Sequence, residues 1–408
     1  MPKVATLSLK NYWNSSVKIW HNIPMKAEID KLVPGGQGIA TLEDGKKAFI
    51  WNALPGETVD FDITKNKHSY CEGIATAISS PNPHRIAPKD ECYLSTSPWQ
   101  IMDYAYELEQ KRELVKECFA QQHIAIEPNL TQTDGKDFYY RNKMEYALYW
   151  DNDDNQIYPA FHQRGTHRKT PIKQSSIERP EIWTKAQDIF AKLNAEHAEA
   201  RNYQSLLLRC DQAGNTSGDL FVNRQPHPIM DNLTDTLLNY KYSYSPNGFF
   251  QINLPVYEMV LDVIKNHIST DKVLDLYAGV GSIGLSVARD KKLTLVEVNG
   301  AAYGEMQKNA IGTDANCVLA KSEDVTEYIE PDQTVILDPP RAGCDQKLID
   351  QLNIIKPESI IYLSCNPITQ ARDIALLQDN YEIIELTPYN FFPRTPHIES
   401  LAILKKRA

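Results

Sequence analysis

Apolar and polar positions alternate over short runs in the first part of the chain. Lys26–Val33, Ile39–Leu42, Ala48–Trp51, Thr58–Thr64 and Gly73–Ile78 each read as a short strand. Gly35, Gly36 and Gly38 separate the first two, and Asp44-Gly45 is a hairpin signal. Strands this short and this closely spaced predict a small barrel of the oligonucleotide-binding type over residues 18–79. A plain β-unit without a ligand fits the same pattern. Ser80–His84, with two prolines, reads as a linker. The pattern then changes to a helical period over Pro98–Ala120, with Ile101, Tyr104, Ala105, Leu108, Leu114 and Val115 on the apolar side. Residues 125–245 are mixed, with strands at Met144–Trp150 and Ser205–Arg209.

From about Lys272 the apolar positions gather into continuous runs: Val273–Leu276, Leu293–Val296, Thr334–Leu337 and Ser359–Leu363. Helix-length segments of about 15–25 residues separate them, the signature of a parallel, doubly wound α/β sheet. Three domains are therefore expected: a β-barrel over 1–82, a first helix with a central α+β region over 83–245, and a Rossmann-like α/β domain over 246–408. There is no internal repeat and no low-complexity tract.

Composition narrows the class. Of the 408 residues, 42% are hydrophobic and 24% charged, as in soluble globular proteins. No run approaches the roughly 20 apolar residues of a membrane span, and Met1–Ala5 does not open a signal peptide. Cysteines stand at 71, 92, 118, 210, 317, 344 and 365, without a Cys-x-x-Cys pair. Free thiols and a cytoplasmic location are expected. The net charge of −10 argues against nucleic acid unless a local basic face exists. Residues 161–173 supply one: Arg164, Arg168, Lys169 and Lys173 with no acid, preceded by Arg141 and Lys143. They form either a phosphate-binding surface or a solvated loop.

Candidate chemistry lies at the ends of the C-terminal apolar runs. Gly279, Gly281 and Gly284 form G-x-G-x-x-G after Val273–Leu276, where glycines let a ligand approach the backbone. Dinucleotide-binding dehydrogenases share that spacing. Asp275 beside the turn would repel a pyrophosphate and favours S-adenosylmethionine, which has an amino group instead. Glu297 ends the next strand, where an acid can accept hydrogen bonds from ribose hydroxyls. Asp338-Pro339-Pro340-Arg341 follows a third strand. Ser364-Cys365-Asn366-Pro367 follows a fourth and puts a thiol in a polar turn. A lone cysteine is more often buried and inert, but this one stands outside an apolar run. His397 and Glu399, two apart on an extended segment, would face the same side as a candidate acid/base set.

Taken together, these motifs resemble the RNA uracil-5 methyltransferases. The glycine turn, Asp338–Arg341, Ser364–Pro367 and Phe392–Glu399 follow that family's order and spacing. Phe249–Asn253 is similar to its Phe-Phe-Gln-x-Asn element, Tyr140–Lys143 and Phe161–Gly165 to its central elements, and the N-terminal strands to its RNA-binding TRAM domain. The resemblance implies S-adenosylmethionine-dependent methylation of carbon 5 of a uridine in RNA. Cys365 would be the nucleophile and Glu399 the proton acceptor, with Gln251, Tyr277, Gly279, Glu297 and Asp338 at the cofactor. Arg141, Lys143, Arg164, Arg168 and Lys169 would meet the RNA. The target base must be flipped out or lie in a loop. A monomer is expected. A barrel ahead of the catalytic part slightly favours 23S ribosomal RNA over the T-loop of transfer RNA.

Many relatives hold an iron–sulfur cluster on four cysteines between barrel and first helix. Residues 88–98 here contain only Cys92, so no cluster is expected. The competing readings are a cytosine-5 or N-methylating RNA enzyme and a non-catalytic RNA-binding protein. Cys344, several residues past Asp338, fits the cytosine placement poorly, and Arg341 supplies no stacking ring for an amine-methylating site.

Overall fold

The computed structural model describes residues 25–223, 225–228 and 232–407. These form two compact units. One comprises the residues up to 88 together with 98–103, and the other comprises 89–97 together with 104 onward. The expectations placed on residues 1–24 lie outside the described residues.

The first unit is one six-stranded sheet in the order β1-β5-β6-β4-β3-β2. Its strands are β1 (Met25–Glu28), β2 (Lys31–Leu32), β3 (Gly38–Thr41), β4 (Lys47–Trp51), β5 (Thr58–Asn66) and β6 (Tyr70–Ser80). The predicted strand Lys26–Val33 is broken into two, and the Asp44-Gly45 turn joins β3 to β4 with Gly45 at φ +83°. Alternate residues Ala48, Ile50, Val59, Phe61, Cys71 and Ala75 point into a common core. Gly73 is required there, because a Cβ would lie 2.5 Å from the Phe61 ring.

The predicted helix over Pro98–Ala120 needs correction. After the short α1 (Tyr93–Thr96), α2 spans only Tyr104–Ala120. Residues 98–103 pair with the first unit instead: the Ile86 N–H donates to the Ile101 carbonyl, and the Trp99 indole donates to Gly36 O at 3.0 Å. Burial of Ile101, beside the buried Trp99, overrides the helical period that Ile101 fits.

In the second unit, β7 (Lys143–Asp151), β8 (Gln156–His162), β9 (Lys169–Pro171), β10 (Tyr203–Cys210), β11 (Thr216–Val222) and β12 (Gln225–Pro228) form a sheet in the order β12-β11-β10-β7-β8-β9. The apolar stripe of α3 (Pro180–Ala195), with Ile182, Ala186, Phe190 and Leu193, packs on it. A hairpin, β13 (Leu233–Leu237) and β14 (Tyr240–Tyr244), and helix α4 (Leu254–His267) lead into the C-terminal sheet.

That sheet contains β15 (Lys272–Leu276), β16 (Lys292–Glu297), β17 (Asn316–Leu319), β18 (Gln333–Leu337), β19 (Ser359–Ser364), β20 (Tyr381–Tyr389) and β21 (Glu399–Lys406). Its order is β17-β16-β15-β18-β19-β21-β20. The helices α5 (Ser282–Val287), α6 (Gly300–Asn309), α7 (Gln346–Ile355) and α8 (Pro367–Ala375) alternate with these strands. The sheet is mixed rather than wholly parallel, because β21 runs antiparallel to β19 and β20. A short connection from β20 to β21 leaves no length for a crossover helix. The strand order reverses between β15 and β18, and in open α/β sheets ligands bind at the carboxyl edge of such a switch point. No described helix is long and apolar enough to cross a membrane.

Candidate active site

One cleft of about 1340 Å³ lies at that edge. The register of the strands explains what lines it. Parallel β15, β16, β18 and β19 all end at this edge, β19 running two residues beyond the level of Leu276 and Leu337; Glu297 closes β16, and Tyr277, Asp338 and Cys365 directly follow the other three. Antiparallel β21 starts where they end. Because Ser364 pairs with Ser400, the next residues along, Cys365 and Glu399, fall side by side. Gln251, Tyr277, Gly279, Glu297, Asp338, Cys365 and Glu399 all line the cleft.

The glycine turn is built for close approach. Tyr277 and Gly279 both adopt left-handed backbone, at φ +64° and +58°. A Cβ on Gly279 would meet no atom within 4 Å, so its backbone borders open space. At Gly284 a Cβ would lie 2.6 Å from Leu295, so this glycine serves helix-on-strand packing. Asp275 is no ligand group. It is fully buried in β15 and accepts the Gly284 N–H at 2.8 Å, while its other oxygen has no partner. Burial pushes its carboxyl up to about 8. The acid that favoured S-adenosylmethionine over a dinucleotide in the sequence is a brace of the turn.

Glu297 is held by two backbone donors, Gly279 N–H at 2.8 Å and Asn299 N–H at 2.6 Å. Its remaining lone pairs are available to hydroxyl donors in the cleft. Asn299 then caps α6 by accepting from Ala301 and Ala302. Gln251 sits on a segment that the sequence pattern did not explain. The buried guanidinium of Arg209 donates to the carbonyls of Gly248, Phe250 and Gln251 and lies over the Tyr244 ring. Asn142 donates a further bond to Gln251 O at 3.2 Å. Burial lowers the Arg209 guanidinium to about 10. An arginine inside the apolar run Ser205–Cys210 was the sequence signal for this role.

Around the thiol the charges are unusual. Burial, then Glu399 and Asp338, push Cys365 up to about 11, while Arg341 opposes them. Burial and Asp338 hold the Glu399 carboxyl well above the usual carboxylate range, again against Arg341. Burial brings Asp338 up to about 7. Arg341 is thus the cation that favours the charged forms of both Cys365 and Glu399. Its Nη2 donates to His397 Nδ1 at 2.9 Å, and its carbonyl accepts from Asn366 on the thiol loop and from Thr369 in the first turn of α8. His397 does not line the cleft and precedes β21 rather than sharing its face with Glu399. Burial, Arg341, Lys111, Arg141 and Arg164 lower it to about 4, so its ring is neutral and accepts from Arg341. The acid/base pair of the sequence reading becomes a carboxyl in the cleft and an imidazole that orients an arginine.

The predicted RNA contacts are spread out. Arg141 and Arg164 are near enough to His397 to bias its titration. The Lys143 ammonium instead donates to the Asn247 and Gly248 carbonyls, and burial lowers it to about 8. Lys169 donates to Leu148 O within its own sheet, and Arg168 stands in the turn before β9. Cys344 also lines the cleft, but burial and Asp373 push its thiol up to about 12. Cys92 is buried against Gln174 O, and no group of three or more potential metal ligands occurs among the described residues.

Comparison with known proteins supports the resemblance drawn from the motifs. Residues 319–407 match the sequence model of the family described as tRNA (uracil-5-)-methyltransferase. An uncharacterized RNA methyltransferase of Enterococcus faecalis is 29% identical, with 98% of this chain and 99% of that one covered. Another from Lactiplantibacillus plantarum is 27% identical over 91% of this chain and 94% of its own. The fold is that of a Pyrococcus abyssi tRNA (uracil-54, C5)-methyltransferase solved with S-adenosyl-L-homocysteine. The TM-score is 0.74 at 23% identity, covering 93% of this chain and all of that one.

Proposed function

We propose that this chain is an S-adenosylmethionine-dependent methyltransferase acting on carbon 5 of a uridine in RNA. The juxtaposition of Cys365 and Glu399 across the β19–β21 register, inside one cleft with Arg341, carries the reading. S-adenosylmethionine, when bound, supplies the methyl group. The cleft fits it: Gly279 presents bare backbone, Glu297 holds lone pairs for ribose hydroxyls, and Gln251, Tyr277 and Asp338 complete the wall.

Carbon 5 of uracil is a weak nucleophile. The Cys365 thiolate adds to carbon 6, forming an S–C6 bond and sending the C5=C6 electron pair toward the carbon 4 carbonyl. Carbon 5 then has enolate character and can take the methyl group. The Glu399 carboxylate removes the carbon 5 proton, the C5=C6 bond reforms, and the C6–S bond breaks to return the thiolate. Arg341 favours both the thiolate and the carboxylate, and Asn366 ties its loop to that of Cys365.

In this reading the N-terminal strands are a TRAM-like RNA-binding barrel, and Arg141, Arg164, Arg168, Lys169 and Lys143 face or support the RNA path. Transfer RNA and 23S ribosomal RNA are both compatible with this reading. Both substrates belong in the test. Purified protein is incubated with S-adenosylmethionine and unmodified transcripts of transfer RNA and 23S ribosomal RNA, and digested nucleosides are identified by mass spectrometry. 5-Methyluridine in one of them is expected. 5-Methylcytidine or an N-methylated base in its place would overturn the reading.

The cofactor pocket makes a separate prediction. Glu297→Ala removes an acceptor of charge-assisted hydrogen bonds and frees two backbone donors. S-adenosylmethionine binding, measured by calorimetry, should weaken about 10–100-fold. Unchanged affinity would remove Glu297 from the site.

A further inference from the structure

The segment that delivers Glu399 runs from Asn390 to Ile398 between β20 and β21. It has no regular secondary structure, yet it must place one carboxyl beside one thiol. At its middle, Arg394 adopts left-handed backbone at φ +64°, which a side-chain-bearing residue rarely does. Something must hold that bend.

The holding groups are fully buried charges on α2. Both oxygens of Glu107 accept the Arg394 N–H, at 3.0 and 3.1 Å. Glu107 also accepts from Asn390 Nδ2 at 3.1 Å and pairs with Lys111 at 3.1 Å. The Lys111 ammonium donates to Asn390 Oδ1 at 2.6 Å and Phe392 O at 3.1 Å. The Arg394 guanidinium pairs with Asp137 and lies 5.2 Å from the centres of both the Tyr104 and Phe138 rings. Glu107 and Lys111 are 0% exposed and Arg394 4%. Two acids thus balance two bases, and none of the four lines the cleft.

Charges removed from water are a poor way to gain stability, since apolar residues of the same volume usually do as well. What they supply is direction. A carboxylate that must receive a backbone N–H, an amide and an ammonium at once accepts only one path of the strap. We infer that Glu107, Lys111, Arg394 and Asp137 form a positioning device that fixes the 390–398 strap and thereby sets Glu399 for proton removal from carbon 5. The inference rests on the proposed function, in which Glu399 acts only after the covalent adduct has formed.

That order of events separates positioning from general damage. Glu107→Gln keeps the shape but lowers the acceptor strength. Glu107→Gln/Lys111→Met removes the pair without leaving a lone buried charge, should the single variant fold poorly. RNA transcripts containing 5-fluorouridine trap the adduct without any need for the base. On them, the variants should trap at the wild-type rate within about twofold. On unmodified transfer and 23S ribosomal RNA transcripts, kcat should fall about 10–100-fold, with KM little changed, and methylated protein–RNA adduct should accumulate on denaturing gels. Wild-type turnover, or trapping and turnover reduced by the same factor, overturns the inference. A wild-type protein that traps no fluorinated RNA overturns the functional reading instead, and is seen before any variant is made.

Discussion

Cys365→Ala is expected to abolish 5-methyluridine formation, a loss of about 10⁴-fold or more, as when a covalent nucleophile is removed elsewhere. Without an S–C6 bond, carbon 5 has no enolate character and the methyl group has no acceptor. Wild-type protein should form a denaturation-resistant adduct with 5-fluorouridine RNA, because fluorine cannot leave as a proton, and Cys365→Ala should form none. Cys344→Ala is the control. Its thiol is buried, pushed up to about 12, and lies 3.7 Å from the Tyr362 hydroxyl, so the adduct should persist. An adduct in Cys365→Ala, or none in the wild type on either RNA class, would sink the mechanism.

The same thiol carries a pH signature. Pushed up to about 11, the Cys365 thiol is overwhelmingly protonated at neutral pH in the free protein. Reactivity must therefore rise with pH throughout the neutral range. Arg341 lowers the thiol's pKa, so its removal should move the titration further up.

Much of this site is legible in the sequence because strand ends are legible. Apolar runs locate β15, β16, β18, β19 and β21, and each carries its functional residue within two positions of the strand end. Glu297, Asp338, Cys365 and Glu399 stand out at those ends, while Tyr277 and the division of roles come from the family resemblance. The supports do not, because their partners are far off in the chain. Lys111 meets Asn390 across 279 positions, and Arg209 meets Phe250 across 41. A buried Glu107 and Lys111 one turn apart read as an ordinary surface ion pair, since i,i+4 acid–base pairs usually face solvent. Asp275 and His397 mislead for a related reason. Sequence gives their proximity to the cleft, but orientation is set by Gly284 N–H for one and Arg341 for the other. The start of α2 is misplaced because Ile101 fits a helical stripe while packing elsewhere, beside Trp99.

Glu399→Gln should fail at the opposite end of the reaction from Cys365→Ala. Addition of the thiolate and transfer of the methyl group do not consume a base, so both should proceed. The carbon 5 proton then has no acceptor, the thiolate cannot be expelled, and methylated RNA should remain bonded to protein. Turnover is expected to drop about 10³-fold while the denaturation-resistant complex rises toward one per enzyme. Because burial and Asp338 hold Glu399 well above the usual carboxylate range, its basic form appears only as pH rises. Release of product should accordingly accelerate with pH through that raised value. Asp338→Asn removes the repulsion, so the carboxyl titrates lower and the release profile, measured at saturating S-adenosylmethionine, should move toward acid. A profile that stays in place would mean that Asp338 does not act on Glu399. Loss of the covalent complex in Glu399→Gln would show that this carboxyl is needed before the S–C6 bond forms, and would reassign it from proton acceptor to a group that activates Cys365.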